Sequence, residues 1–127
     1  MIHSHRDEAL DLTTFVCEGT MTLEEISGRL RAFYERHPTL NVLWDLGQAD
    51  LSALRTSDVR TLALSLARQA HVRSGGRTAV VASADLAYGL SRVYQISREI
   101  EQNPVDLEVF RTVDEARNWL LGGDRRG

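Results

Sequence analysis

The chain contains little cysteine and histidine, the residues that build disulfides and most zinc sites. Cys17 is the only cysteine among 127 residues, so no disulfide can form within the chain. It lies in the apolar segment TTFVC, where we expect a buried and unreactive thiol. His3 and His5 would share one face of a strand, but no third ligand stands nearby, so we predict neither a metal nor another cofactor.

Long apolar runs are also missing. No stretch of 18 or more apolar residues occurs, and the first residues do not form a signal-peptide pattern, which predicts a cytoplasmic protein without a transmembrane segment. Lysine is absent, and the 15 basic residues are arginines scattered along the chain, which favours a compositional bias over a demand for bidentate contacts. Because 18 acidic residues leave a net charge of −3, nucleic acid is not an expected partner.

What the chain does contain is the composition of one ordinary globular domain. Hydrophobic residues make up 43% and charged residues 26%, and the length suits a single hydrophobic core. We predict one domain over residues 1–122 and a short flexible tail over residues 123–127.

Short apolar or alternating segments predict five strands. IHSHR and LDLTTFVCEG are expected to pair as a hairpin, whereas LNVLWDL and RTAVVAS are continuous apolar runs that suit strands buried on both faces. VDLEVF alternates strongly between apolar and acidic residues. The predicted strands cover residues 2–6, 10–19, 40–46, 77–83 and 105–110.

Capping signals mark two of the four predicted helices. Thr22 with Glu25, and Thr112 with Glu115, have the spacing of a capping box, so they should begin the first and last helices. The first helix is expected to end near His37, because a proline follows it.

The two middle helices are predicted from apolar spacing. The second should begin near Ser57 and continue to residue 72, where the turn SGG follows. The third should begin with Asp85 as its cap. Its predicted apolar face consists of Leu86, Leu90, Val93, Ile96 and Ile100.

The predicted element order is β-β-α-β-α-β-α-β-α. Strands that alternate with helices indicate right-handed crossovers and an α/β domain. We therefore predict a mostly parallel sheet of four to five strands with an N-terminal hairpin, flanked by about four helices.

Two strand exits are candidate ligand sites, because ligands of open α/β sheets bind beyond the carboxyl ends of the strands. Asp45, taken as a strand end, could be a general base, a metal ligand or an anchor that accepts backbone N–H groups. The anchor is favoured, since no second polar residue is marked out beside it. Ser83, Asp85 and Tyr88 could form the second part of a cleft, although helix capping and core-edge packing also explain them.

Thr56 and Ser57 open the second helix, where free amides and the helix dipole favour negative charge. A phosphate on Ser57 would be held there, but a simple helix cap explains the same pair of hydroxyls. No nucleophile motif such as G-x-S-x-G occurs, and no catalytic residue is predicted.

Four segments together resemble a group of small bacterial proteins, the SpoIIAA-like or STAS/SEC14-like domains. The segments are VLWDLGQADLS, TSDVRTLA, RTAVVASADLAYGLSRVYQI and VFRTVDEARNWL, and the resemblance covers nearly the whole chain in order. It implies a sheet of four or five strands flanked by helices. The best-understood STAS members bind a kinase-like anti-sigma factor and are switched by phosphorylation of a serine.

In that family the switch serine opens the helix after the central strand. Ser57 is the best positional match here and Thr56 the next, while Asp58 stands where the family motif has glycine. The SEC14-like relation implies instead a small apolar ligand held between a helix and the sheet.

We therefore expect a non-enzymatic STAS-like domain that binds a protein partner, or a second copy of itself through its two middle helices, in bacterial signalling. The alternative is a small-molecule or lipid-binding module that uses the cleft near Asp45, Ser83, Asp85 and Tyr88.

Overall fold

A computed structural model describes residues 1–122, and the tail predicted for residues 123–127 lies outside the described part. The strands are β1 (Ile2–Asp7), β2 (Leu12–Thr20), β3 (Asn41–Asp50), β4 (Arg77–Val81) and β5 (Asp106–Phe110). The helices are α1 (Leu23–Glu35), α2 (Thr56–Ser65), α3 (Asp85–Ile100) and α4 (Val113–Leu120), with a short 3₁₀-helix at Gln69–Arg73.

The five strands form one sheet in the order β1-β2-β3-β4-β5. β1 pairs antiparallel with β2, and the other three pairs are parallel. Each parallel pair is joined by a connection that contains a helix, as parallel pairing requires. The predicted α/β class, the N-terminal hairpin and the mostly parallel sheet are confirmed.

Helices cover both faces of the sheet, but unequally. Helices α1, α2 and α3 lie on one face over the larger core, and within residues 1–122 α4 is the one helix that covers the other face. Neighbouring residues of β3 divide between the two cores, since Val42 belongs to the larger and Leu43 to the smaller. All five residues of β4 are buried, as expected for a strand covered on both faces.

Strand β3 is longer than predicted, and Asp45 does not end it. Pairing with β4 stops at Asp45, but pairing with β2 continues to Asp50. Between Val16 and Glu18 of β2 the register shifts, and β3 supplies one extra residue there, which is a β-bulge. The sequence shows only the end of the apolar run, whereas the bulge allows a more polar segment to remain in the sheet.

The capping predictions for the first and last helices are confirmed. The hydroxyl of Thr22 accepts a hydrogen bond from the backbone N–H of Glu25 at 3.1 Å. Thr112 accepts from the N–H of Glu115 at 3.3 Å, so both helices begin where the sequence indicated.

The second helix is shorter than the predicted segment 57–72. Helix α2 ends at Ser65, and the chain then turns into the 3₁₀-helix that closes with Arg73. The break allows the guanidinium of Arg73 to turn inward and donate to the carbonyls of Thr39 and Leu40 at 3.0 and 3.1 Å. The apolar spacing that predicted a helix over residues 57–72 continues through this break and therefore does not indicate it.

The predicted apolar face of α3 is only partly correct. Leu90 is buried and Val93 packs partly buried against the larger core, but Leu86, Ile96 and Ile100 are at least half exposed. The helix instead turns Gln95 and Arg98 toward the sheet side, with Ala87 and Ser91 also buried. This orientation persists because both polar side chains find backbone acceptors, at Leu107 (2.7 Å) and Val105 (2.8 Å) respectively.

Cys17 provides a test of the larger core. Its side chain is fully buried, and burial raises the pKa of the thiol from 9.0 to about 12. We therefore expect iodoacetamide at pH 8 to label the folded protein far more slowly than the urea-unfolded chain, as followed by mass spectrometry. Equal labelling rates would show that β2 is not covered as described.

The raised pKa of the Cys17 thiol also sets the direction in which the stability of the protein changes with pH. Because the thiol ionises at a higher pH in the folded state, its contribution to stability is complete below pH 9.0 and is lost as the pH rises toward about 12.

Candidate functional site

Asp45 lies half-buried beside the bulge of β3 rather than at an open strand exit. Its Oδ1 atom accepts the backbone N–H of Gly47 at 2.9 Å. A Cβ atom at Gly47 would lie 3.1 Å from the same oxygen, so glycine suits the tight approach. The arrangement is that of a carboxylate that holds a backbone bulge.

Ser83, Asp85 and Tyr88 do come together, and the residue that joins them is Arg111. Its Nη1 donates to the carbonyl oxygen of Ser83 at 2.9 Å and to Asp85 Oδ1 at 3.0 Å. Its guanidinium carbon lies 4.0 Å from the ring centroid of Tyr88, within cation–π range. The Asp85 side chain is 98% exposed, so this cluster is a surface feature rather than a cleft.

The strand register could have indicated Arg111. It directly follows Phe110, which pairs with Val81 at the carboxyl end of β4. Residues that follow two neighbouring parallel strands emerge at the same edge of the sheet. The expected cap of α3 is also corrected, because Ala84 occupies the N-cap position and Asp85 is the first helical residue. Its charge still lies in the first turn, where it suits the helix dipole.

Thr56 and Ser57 are exposed residues of the first turn of α2, and neither is its cap. Arg55 occupies the N-cap position, and the carboxylate of Asp58 accepts its backbone N–H at 2.9 Å. The capping interpretation of the two hydroxyls is therefore wrong, because an acidic residue on the third position supplies that hydrogen bond. Both hydroxyl groups belong to exposed side chains at a helix N-terminus.

This geometry predicts a difference between two alanine substitutions. Asp58→Ala should lower the free energy of unfolding by about 1 kcal/mol, because Arg55 loses the acceptor of its N–H group. Ser57→Ala should change it by less than about 0.5 kcal/mol, since the side chain is exposed. Urea unfolding followed by circular dichroism measures both. A larger loss for Ser57→Ala than for Asp58→Ala would restore serine as the cap.

An apolar cavity of about 110 Å³ lies between the sheet and helices α1 to α3. Its walls are mostly hydrophobic and come from every element of this layer. They include Ile26, Leu30, Val42, Trp44, Leu54, Val59, Leu62, Leu66, Leu90 and Leu107. None of the four residues predicted to form a ligand cleft lines it.

The polar lining of this cavity includes two arginines and two tyrosines. Arg73 and Arg98 are buried, with only 5% and 6% of each residue exposed. Arg73 Nη1 donates to the hydroxyl of Tyr34 at 3.4 Å, and the guanidinium carbon of Arg98 lies 5.8 Å from the ring centroid of Tyr94. Within residues 1–122, neither guanidinium has a carboxylate at ion-pair distance.

Burial governs the titration of this cluster. Burial lowers the pKa of the Arg98 guanidinium; the positive charge of Arg73 lowers it further, while Tyr94 opposes the shift. Burial raises the pKa of the Tyr94 hydroxyl, which therefore stays protonated and able to donate a hydrogen bond. The sequence did not indicate this cluster, because arginines on helices usually extend into solvent.

Strand order, hairpin and helix placement together define a STAS-like, SpoIIAA-like fold. A solved structure of the anti-sigma factor antagonist SpoIIAA in its unphosphorylated form matches this chain with a TM-score of 0.55. The match covers 96% of this chain and 99% of that chain at 15% sequence identity. No protein-family model and no curated protein sequence matches the chain. A likeness at this identity establishes the fold and leaves the activity to be argued from the site.

Residues 1–122 contain neither a membrane-spanning helix nor a cluster of metal-binding side chains. No helix in this part of the chain is both long and apolar enough to span a bilayer. Its histidine, cysteine and acidic side chains form no group of three or more that could hold a metal ion. His3 instead contacts Glu18, with Nε2 and Oε1 separated by 3.1 Å.

Proposed function

We propose that this chain is a non-enzymatic regulatory domain of the cytoplasm that acts by binding a partner protein. Its fold is that of SpoIIAA, which is an anti-sigma factor antagonist. The observation that carries the proposal is an apolar stripe along α3 in which Leu86, Gly89, Ile96 and Ile100 are exposed and Val93, between them, is half-buried against the larger core.

The stripe has the spacing of a helix-packing seam. Its five positions are separated by three, four, three and four residues, the pattern that keeps side chains on one side of a helix. Leu86, Ile96 and Ile100 are 52%, 50% and 72% exposed. Exposed single apolar residues are common, but a row of them at this spacing is typical of an interaction surface.

Gly89 adds to the case for a helical partner. A Cβ atom there would meet no atom within 4 Å, so the glycine serves no close approach inside the domain. Glycine within a helix costs about 1 kcal/mol relative to alanine. At the middle of an exposed seam it would let a partner backbone come close, which favours a helix packed along α3.

Ser57 lies at the same edge of the sheet as the start of this stripe. Helices α2 and α3 each follow a parallel strand, pack against each other, and begin at the carboxyl edge. A phosphate on Ser57 would be held by first-turn amides, and it would add negative charge beside the docking surface. Thr56 is the neighbouring exposed hydroxyl and the second candidate for modification.

The docking surface can be tested by crosslinking in cells that express the protein naturally. A photoreactive amino acid in place of Ile96 should form an adduct with one other protein, whereas the same substitution at Val72 should not. Val72 is the matched control because it is 68% exposed but lies in the 3₁₀-helix rather than on α3. The double substitution Ile96→Asp and Ile100→Asp should abolish binding and shift the melting temperature by no more than about 3 °C.

The same crosslinking, together with light scattering, distinguishes a different partner protein from a second copy of this chain on the apolar stripe. A light-scattering mass of two chains, with adducts between copies, would replace the partner protein by a second copy. A mass of one chain with no adduct at position 96 would contradict a docking role for α3.

The switch has a separate test. Ser57→Asp should reduce the yield of the adduct formed at position 96, because it introduces negative charge at the edge of the docking surface. Ser57→Ala should leave the yield unchanged, and so should Ser74→Asp, a control at an exposed turn after the 3₁₀-helix. Equal yields for all three variants would argue against regulation through Ser57.

A further inference from the structure

The cavity between the sheet and helices α1 to α3 is lined by residues other than those of the apolar stripe on α3. It combines mostly apolar walls with two buried positive charges. Burying a charge is costly unless an opposite charge or sufficient hydrogen bonds compensate it. The two arginines differ in how far this requirement is met.

Arg73 is held by the backbone. Its Nε and Nη2 atoms donate to the carbonyls of Thr39, Leu40 and Arg77 at distances between 2.9 and 3.1 Å. Nη2 also donates to the hydroxyl of Thr78 at 3.0 Å. These bonds fix the position of the guanidinium but leave its full positive charge beside the cavity.

Arg98 is less completely satisfied. It donates from Nη2 to the carbonyl of Val105 at 2.8 Å and is hydrogen-bonded to the side chain of Tyr94, while the charge of Asp106 weakly favours its charged form. A guanidinium carries five N–H donors in a planar fork, so Arg98 retains donors for an acceptor inside the cavity that it lines. The neighbouring positive charge of Arg73 makes an anion the preferred acceptor.

The apolar walls of the cavity indicate what the uncharged part of a ligand must be. The walls are apolar, and the volume of about 110 Å³ suits a ring or a short alkyl chain rather than a two-chain lipid. An apolar group would displace no strongly bound solvent from these walls, whereas an isolated inorganic anion would leave them unfilled. The chemistry that fits both parts is an anionic head on a small apolar body.

We propose that this cavity binds a small carboxylic acid in its ionised form. Its carboxylate would accept hydrogen bonds from Arg98 and from the hydroxyls of Tyr34 and Tyr94, while Arg73 contributes electrostatic attraction. Its apolar body would lie against Leu30 and Leu66. Binding would neutralise the excess positive charge and fill the space between the helices and the sheet, and would thereby stabilise their packing.

The test compares two ligands of nearly identical shape on the full chain. Isothermal titration calorimetry should show saturable binding of hexanoate with one site per chain, and hexanamide should bind at least about ten-fold more weakly because it lacks the charge. Equal affinities for the acid and the amide would overturn recognition of the anion. Absence of saturable hexanoate binding at millimolar concentration would overturn the site itself.

A pair of arginine variants locates the site. Arg98→Met keeps the apolar stem but removes the charge, and it should abolish the preference for hexanoate over hexanamide. Arg60→Met removes one positive charge from the exposed face of α2 and should retain that preference. A preference that survives in Arg98→Met would place the anion elsewhere. If Arg98→Met does not fold, the comparison of acid with amide in the unmodified protein still decides the proposal.

Discussion

Burial of β4 on both faces is the constraint on which the rest of the architecture depends. Its five residues are all buried, so its backbone groups must pair with β3 on one edge and β5 on the other. Its side chains in turn need cover on both faces, which α4 provides on one side and α1 to α3 provide on the other. The hairpin strand β1 can then extend the sheet at its edge without a further helix.

The orientation of α3 links the two surfaces proposed to be functional. The helix turns Gln95 and Arg98 inward, where their side chains bond to the carbonyls of β5 and of the residue before it. The same rotation leaves Leu86, Ile96 and Ile100 in solvent. One choice of helix face therefore creates both a charged interior and an apolar exterior. The larger apolar side chains stay outside because Gln95 and Arg98 find backbone acceptors on the inner side of the helix.

The two proposed sites also make different demands on the domain. A partner helix packed on the outside of α3 requires only a rigid surface. Ala87 and Leu90 hold α3 in place, because both are buried in the larger core beneath it. A ligand in the cavity would act on the packing of α1 and α2 over the sheet. Because α2 and α3 pack against each other, ligand binding inside and protein binding outside involve the same pair of helices.

Local patterns in the sequence were sufficient for the element types. Continuous apolar runs indicated the buried strands, and the threonine-to-glutamate spacings located the starts of α1 and α4. Local patterns failed where a long-range partner decides the outcome. The bulge after Asp45 and the break after Ser65 depend on strand register and on distant hydrogen bonds that periodicity does not record. The hydrogen bond from Arg55 to Asp58 at the start of α2 is local by contrast, and the spacing of the two residues could have indicated it.

By itself the sequence determined an α/β domain, its strand and helix order, and the hairpin that opens it. It did so because burial of apolar side chains imposes a period on each kind of element. Only the tertiary structure decided which face of α3 is inside and that Arg73 and Arg98 meet beside one cavity. It also decided that Arg111 joins Ser83, Asp85 and Tyr88 at the surface. These outcomes depend on acceptors contributed by distant segments, and no local periodicity reports where such acceptors lie.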